Sequence, residues 1–173
     1  SLSQLKSVLL IDADLRRPTL ARNFDFPVGT PGLANLISGT AKAQDCIQKV
    51  SENLDMMTAG AVPPNPLELL ASPRFAELLE KAKEHYDHII IDSPPTQAVS
   101  DPILTSTLAT SVIYVIKSES TSIPMAQRGV GQLLQSGASI VGVVLNQVDV
   151  KKAAKKGDYS GYVDHYGYSA GKA

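Results

Sequence analysis

Tryptophan is absent from the 173 residues, and aromatic side chains make up only 5% of them. Cysteine occurs once, at Cys46, so no internal disulfide can form, and the reducing cytoplasm is the expected compartment. No apolar run approaches the roughly 20 residues that a bilayer-spanning helix needs, and no secretory leader pattern opens the chain. Charge of one sign is not in excess. With 16 Lys and Arg against 17 Asp and Glu, the net charge of −1 leaves no overall footprint for nucleic acid or an anionic membrane. The phosphate-cradling pattern Gly-x-x-x-x-Gly-Lys-[Ser/Thr] is also missing, because the sole Gly-Lys pair, Gly171-Lys172, is followed by Ala173.

What is present is ordinary for a folded protein: 43% hydrophobic and 19% charged residues, in a length that suits one domain with a real core. Ser7-Val-Leu-Leu-Ile-Asp12 and His88-Ile-Ile-Ile-Asp92 are short apolar runs ending in an acid, the pattern of strands buried on both faces. Residues 111–116 and 139–145 are equally apolar and rich in β-branched side chains, and 54–58 forms a weaker fifth candidate. Between them, the stripe Leu69, Leu70, Phe75, Leu78, Leu79, Ala82 has helical spacing, with Pro73 marking a break. A second helix is expected from Pro124 to Gln135, closed by Gly137, and a short one over Gly32 to Ile37, ended at Gly39. Strands alternating with helices call for parallel pairing, hence an α/β fold with a doubly wound, mostly parallel sheet and flanking helices. From Lys151 the character changes to a basic stretch and then a Gly- and Tyr-rich one, so residues 1–150 are read as the folded domain and 151–173 as a flexible tail.

In an open parallel sheet the ligand crevice lies beyond the carboxyl ends of the strands, where Asp12, Asp14 and Asp92 fall. Three carboxylates converging there repel one another unless a cation sits among them, and a hard, oxygen-rich site suits Mg²⁺ carrying a nucleotide. The competing reading is that each acid caps the next helix or turn.

The residues around these acids resemble a family. Leu9-Leu-Ile-Asp12-Ala-Asp14-Leu-Arg16-Arg17-Pro18 is similar to the modified second Walker motif of bacterial tyrosine kinases, and Ile89-Ile-Ile-Asp92-Ser93-Pro94-Pro95 resembles their Walker B motif. Gly60-Ala-Val-Pro63-Pro64-Asn65-Pro66-Leu-Glu68-Leu69-Leu70-Ala-Ser72 resembles a Pro-Pro-Asn-Pro signature of the same kinases. The resemblance extends over essentially the whole chain. It implies a P-loop NTPase-like domain from which the first, P-loop strand is absent, with residues 1–6 ending the helix that follows that strand. It also implies ATP and Mg²⁺ as cofactors, with Asp12 and Asp92 holding the metal-bound nucleotide and Asp14 orienting the acceptor tyrosine and taking its proton. Arg16 and Arg17 would lie near phosphates or a subunit contact, against a plain reading as exposed surface residues. Asn146 matches a position that reads the adenine edge in related ATPases, against a plain reading as a turn residue.

Tyr159, Tyr162, Tyr166 and Tyr168 crowd the tail among small neighbours, resembling the autophosphorylated tyrosine cluster of these kinases. The family implies a ring-like homo-oligomer in which a tail enters a neighbouring active site. It further implies control of capsule or exopolysaccharide polymerisation and export, and a place at the inner face of the membrane through a fused or partner co-polymerase domain or activator. Nucleic acid is not an expected partner. Without its phosphate cradle, this stretch alone is expected to be inactive and poorly stable. Two alternatives stand beside the kinase reading: a partitioning or positioning ATPase of the same superfamily, and a non-catalytic interaction module.

Overall fold

The computed structural model describes residues 6–149. The expected helix end over residues 1–6 and the whole tail with its four tyrosines therefore lie outside the described residues, Lys6 excepted.

Strand β1 (Val8–Asp12) is the centre of a four-stranded sheet. It pairs in parallel with β3 (Leu54–Met57) on one side and with β4 (His88–Asp92) on the other. Its apolar run is buried as its composition demands: Val8, Leu9 and Ile11 are all 2% exposed or less. The edge strand β2 (Ile47–Ser51) pairs antiparallel to β3, with an irregularity between Lys49 and Ser51. Its sequence, Ile-Gln-Lys-Val-Ser, is half polar because the strand sits at an edge, so its apolar signal is too thin to announce it. Strands β5 (Val112–Lys117) and β6 (Ile140–Asn146) pair in parallel with each other and form a separate two-stranded sheet. The expected α/β architecture is present, with six strands among the described residues rather than five.

Proline and glycine punctuate the helices as expected. The stripe over residues 66–86 divides into α4 (Pro66–Ala71) and α5 (Pro73–Lys83), and Phe75, Leu79 and Ala82 form the buried face of the latter. Helix α2 (Leu33–Ser38) ends at Gly39, which takes the left-handed conformation that relieves a helix terminus most cheaply in glycine. Helix α7 (Ile123–Gln135) starts on Ser122, whose hydroxyl accepts from the Met125 amide, and ends before Gly137, again at positive φ. Short helices α1 (Leu20–Asn23) and α3 (Ala43–Cys46) and the eight-residue α6 (Asp101–Leu108) complete the set among the described residues.

The main core lies on β1, with Leu15, Leu33, Met57, Leu70 and Phe75 packed around it. A smaller cluster joins Tyr114 of β5 to Leu133 of α7 and Ala138. Beyond that cluster the second sheet is open: Ile113, Val115, Val141 and Val143 are each more than half exposed. Among the described residues the outer edge of β4 and that of β5 carry no further strand.

Candidate active site

Because β1, β3 and β4 run in parallel, their carboxyl ends share one edge. There Asp12 and Asp92 are direct partners in the β1–β4 register, and the Ala13 amide donates to the Asp92 carbonyl oxygen at 2.8 Å, extending the pairing one residue into the loop. The loop then folds around the first acid. Asp12, fully buried, accepts from the Asp14 amide through Oδ1 and from the Leu20 amide through Oδ2, each at 3.2 Å. Asp14 in turn accepts from the amides of Arg16 at 3.2 Å and Arg17 at 2.9 Å. The capping role anticipated for these acids is thus real for Asp12 and Asp14, and it leaves each with free lone pairs, since a carboxylate offers about four acceptor sites.

Burial pushes the Asp12 carboxyl up to about 6; the two backbone hydrogen bonds oppose this, and the charges of Asp92 and Asp14 add to it. Asp92 is raised as well, first by burial and then by Asp14. The three acids therefore share one electrostatic environment whose cost a cation would relieve. Among the described residues no group of three His, Cys, Asp or Glu side chains could enclose a metal ion by itself. Such an edge fits Mg²⁺, which is commonly held by one or two carboxylates and completes its shell with water and phosphate oxygens.

The remaining expected residues divide. Arg16 directs its guanidinium to Asp101 at the start of α6, with Nε to Oδ2 at 2.7 Å and Nη2 to Oδ1 at 3.0 Å. Arg17 is exposed. Asn146 ends β6 in the other sheet, where its Oδ1 accepts from the Gln147 amide at 2.9 Å, the local bond of a turn residue. Tyr159, Tyr162, Tyr166 and Tyr168 lie outside the described residues.

Sequence reasoning passed over Asp101, which is fully buried. It also passed over residues 96–100, between the Pro94-Pro95 pair and α6, where Gln97 Nε2 donates to the Tyr114 hydroxyl at 3.0 Å and Thr96 Oγ1 lies 3.2 Å from the same oxygen. The signal for Asp101 was Ser100-Asp101-Pro102, a helix-start pattern with Pro in the first turn.

Comparison with known proteins identifies the family of the chain. A family model described as an AAA domain matches residues 2–150. The tyrosine-protein kinase YwqD of Bacillus subtilis is 36% identical over 160 residues, spanning 92% of this chain and 66% of its own length. The tyrosine-protein kinase Wzc of Salmonella typhimurium is 32% identical over 166 residues, spanning 93% of this chain but 22% of its own length. The chain thus spans about two thirds of its shorter relative and about a fifth of the longer one. The crystal structure of the VpsO kinase domain superposes with a TM-score of 0.81 at 42% identity, covering 86% of this chain and 73% of that one. On these grounds the chain belongs to the bacterial tyrosine kinases and represents part of their α/β catalytic domain.

Proposed function

We propose that this chain supplies the acidic half of an ATP-dependent tyrosine autokinase that governs capsular or exopolysaccharide polymerisation and export. The observation that carries the reading is the register of Asp12 with Asp92, together with Asp14 held by backbone amides on the adjoining loop. Bound ATP supplies the γ-phosphoryl group, and Mg²⁺ supplies neutralising charge. Asp12 and Asp92 hold the metal-bound nucleotide at the sheet edge. Arg17 and Asn146 are assigned to its phosphates and base, respectively. Asp14 accepts the proton of the incoming tyrosine, whose hydroxyl has an ordinary pKa of about 10 and stays protonated at neutral pH without an acceptor. Phosphoryl transfer proceeds through a loose transition state, so placement and charge neutralisation carry most of the rate.

The acceptors are assigned to Tyr159, Tyr162, Tyr166 and Tyr168, entering the active site of a neighbouring copy in a ring. Each phosphate adds about −1.5 to −2 charges at pH 7, enough to repel a tail from an acidic edge. On the likeness to the bacterial tyrosine kinases we place the domain at the cytoplasmic face of the membrane through a fused or partner membrane protein; no helix among the described residues is itself long and apolar enough to cross a membrane.

The test is Asp14→Asn in the kinase together with a Gly-x-x-x-x-Gly-Lys segment. Nucleotide affinity should persist while tyrosine phosphorylation falls about 10²- to 10⁴-fold, the usual share of a general base. Phosphorylation at the wild-type rate in this variant removes Asp14 from the chemistry. ATP hydrolysis without any phosphotyrosine favours a partitioning-type ATPase.

A further inference from the structure

Arg16 and Asp101 are 85 residues apart in sequence and form a two-pronged ion pair. Asp101 is fully buried, whereas the Arg16 side chain remains 39% exposed. A planar guanidinium facing a carboxylate through two parallel bonds restricts distance and orientation together, which a lysine ammonium cannot do.

The position of the pair gives it a consequence. On one side, the Arg16 amide donates to Asp14, so the backbone that presents the Asp14 carboxylate is the backbone that carries the fork. On the other, Asp101 closes the segment 93–100 that begins directly after Asp92. That segment is held a second time where Thr96 and Gln97 meet the Tyr114 hydroxyl on β5. Gly129 of α7 permits this second hold, since a methyl group there would run into the Tyr114 hydroxyl.

We infer that the Arg16–Asp101 pair is a positioning device that sets the loop bearing Asp14 against the segment following Asp92, and thereby aligns the acceptor hydroxyl with the nucleotide. The inference rests on the kinase reading for its catalytic consequence and on geometry alone for the coupling of the two loops. Asp101 touches no reacting atom. It acts through Arg16, and Arg16 acts through the loop of Asp14. A misplacement of about 1 Å at a phosphoryl-transfer centre can cost on the order of 10²-fold in rate without removing any reacting group.

The experiment compares wild type, Arg16→Lys and Asp101→Asn in the full kinase polypeptide. Arg16→Lys keeps the charge at a partly exposed site, so it should fold. It is expected to lower kcat for tyrosine phosphorylation about 10- to 100-fold while leaving the affinity for Mg-ATP within about threefold and the number of Mg-ATP sites per chain unchanged; general loss of folded protein would lower that number in step with kcat. Hydrogen exchange on the same full kinase polypeptide provides the second readout. Arg16→Lys should raise exchange across residues 93–101, and Asp101→Asn should raise it across residues 13–19, each change appearing in the loop that was not altered. An unchanged kcat in Arg16→Lys, or exchange that rises only beside the substituted residue, overturns the inference. A wild-type protein that makes no phosphotyrosine sinks the kinase reading instead, and the reciprocal exchange still decides whether the loops are coupled.

Discussion

Asp12 and Asp92 are Cα partners across the parallel pairing of β1 and β4, so two acids leave the sheet at the same level of the same edge. Two stretches of chain far apart in sequence arrive at that edge, and both carboxyls are raised above their ordinary range, first by burial and then by the charge of neighbouring acids. The raised carboxyls make this edge responsive to protons.

Stability should therefore depend on pH in a defined direction. Asp12 is pushed up to about 6 in the folded chain from an ordinary value near 4, so the folded state binds the extra proton between those values. Its contribution is fully present below about pH 4 and is lost as pH rises through about 6, amounting to about 2–3 kcal/mol. Asp92 acts in the same sense. Urea unfolding of wild type and Asp12→Asn at pH 4.5 and pH 7.5 checks this. The variant should gain on the wild type at the higher pH, and a difference between the two proteins that does not vary with pH would contradict the burial of an ionisable Asp12.

Gly60 opens the Pro63-Pro64-Asn65-Pro66 block and takes φ of +75°. A methyl group there would collide with Asn35 Oδ1 and come within 2.8 Å of the Gly32 amide nitrogen. Asn35 Oδ1 accepts from the amides of both Gly32 and Ala61, so it fastens the start of the block to α2. Gly60→Ala should cost about 2–4 kcal/mol, from left-handed strain and overpacking combined, read as a lower denaturant midpoint. A loss below about 1 kcal/mol would mean that the turn re-forms without its glycine.

Phosphate should be confined to the tail. Tyr86 donates its hydroxyl to Asp55 at 2.7 Å, and burial, followed by that acid, pushes its phenol well above the usual range. Tyr114 is 8% exposed and its oxygen is engaged by Thr96 and Gln97. Neither hydroxyl is free to enter a cleft. Mass spectrometry of the autophosphorylated kinase is expected to find phosphate on Tyr159, Tyr162, Tyr166 or Tyr168, and stoichiometric phosphate on Tyr86 or Tyr114 would refute the assignment.

Much of the fold was legible before any coordinates. Apolar runs ending in acids marked β1 and β4, and Pro73, Gly39 and Gly137 marked helix boundaries, because each is a local effect of side-chain burial or backbone freedom. The two acid motifs were legible for the same reason: strand, acid and turn are contiguous in the chain. Strand β2 was not, since an edge strand needs no strong apolar pattern. Arg16 was expected near phosphates or a subunit contact, or simply at the surface, and the structure directs its side chain to Asp101.

The sequence by itself determined the α/β class, the order of five strands and of the helices over residues 32–37, 66–86 and 124–135, the identity of the acids and the cluster of tail tyrosines, all of which follow from residue type and short-range spacing. Tertiary structure alone decided that the strands form a four-stranded and a two-stranded sheet, that Asp12 is fully buried, and that Arg16 reaches Asp101. These depend on which distant segments meet when the chain closes on itself, and no local preference of either partner specifies that meeting.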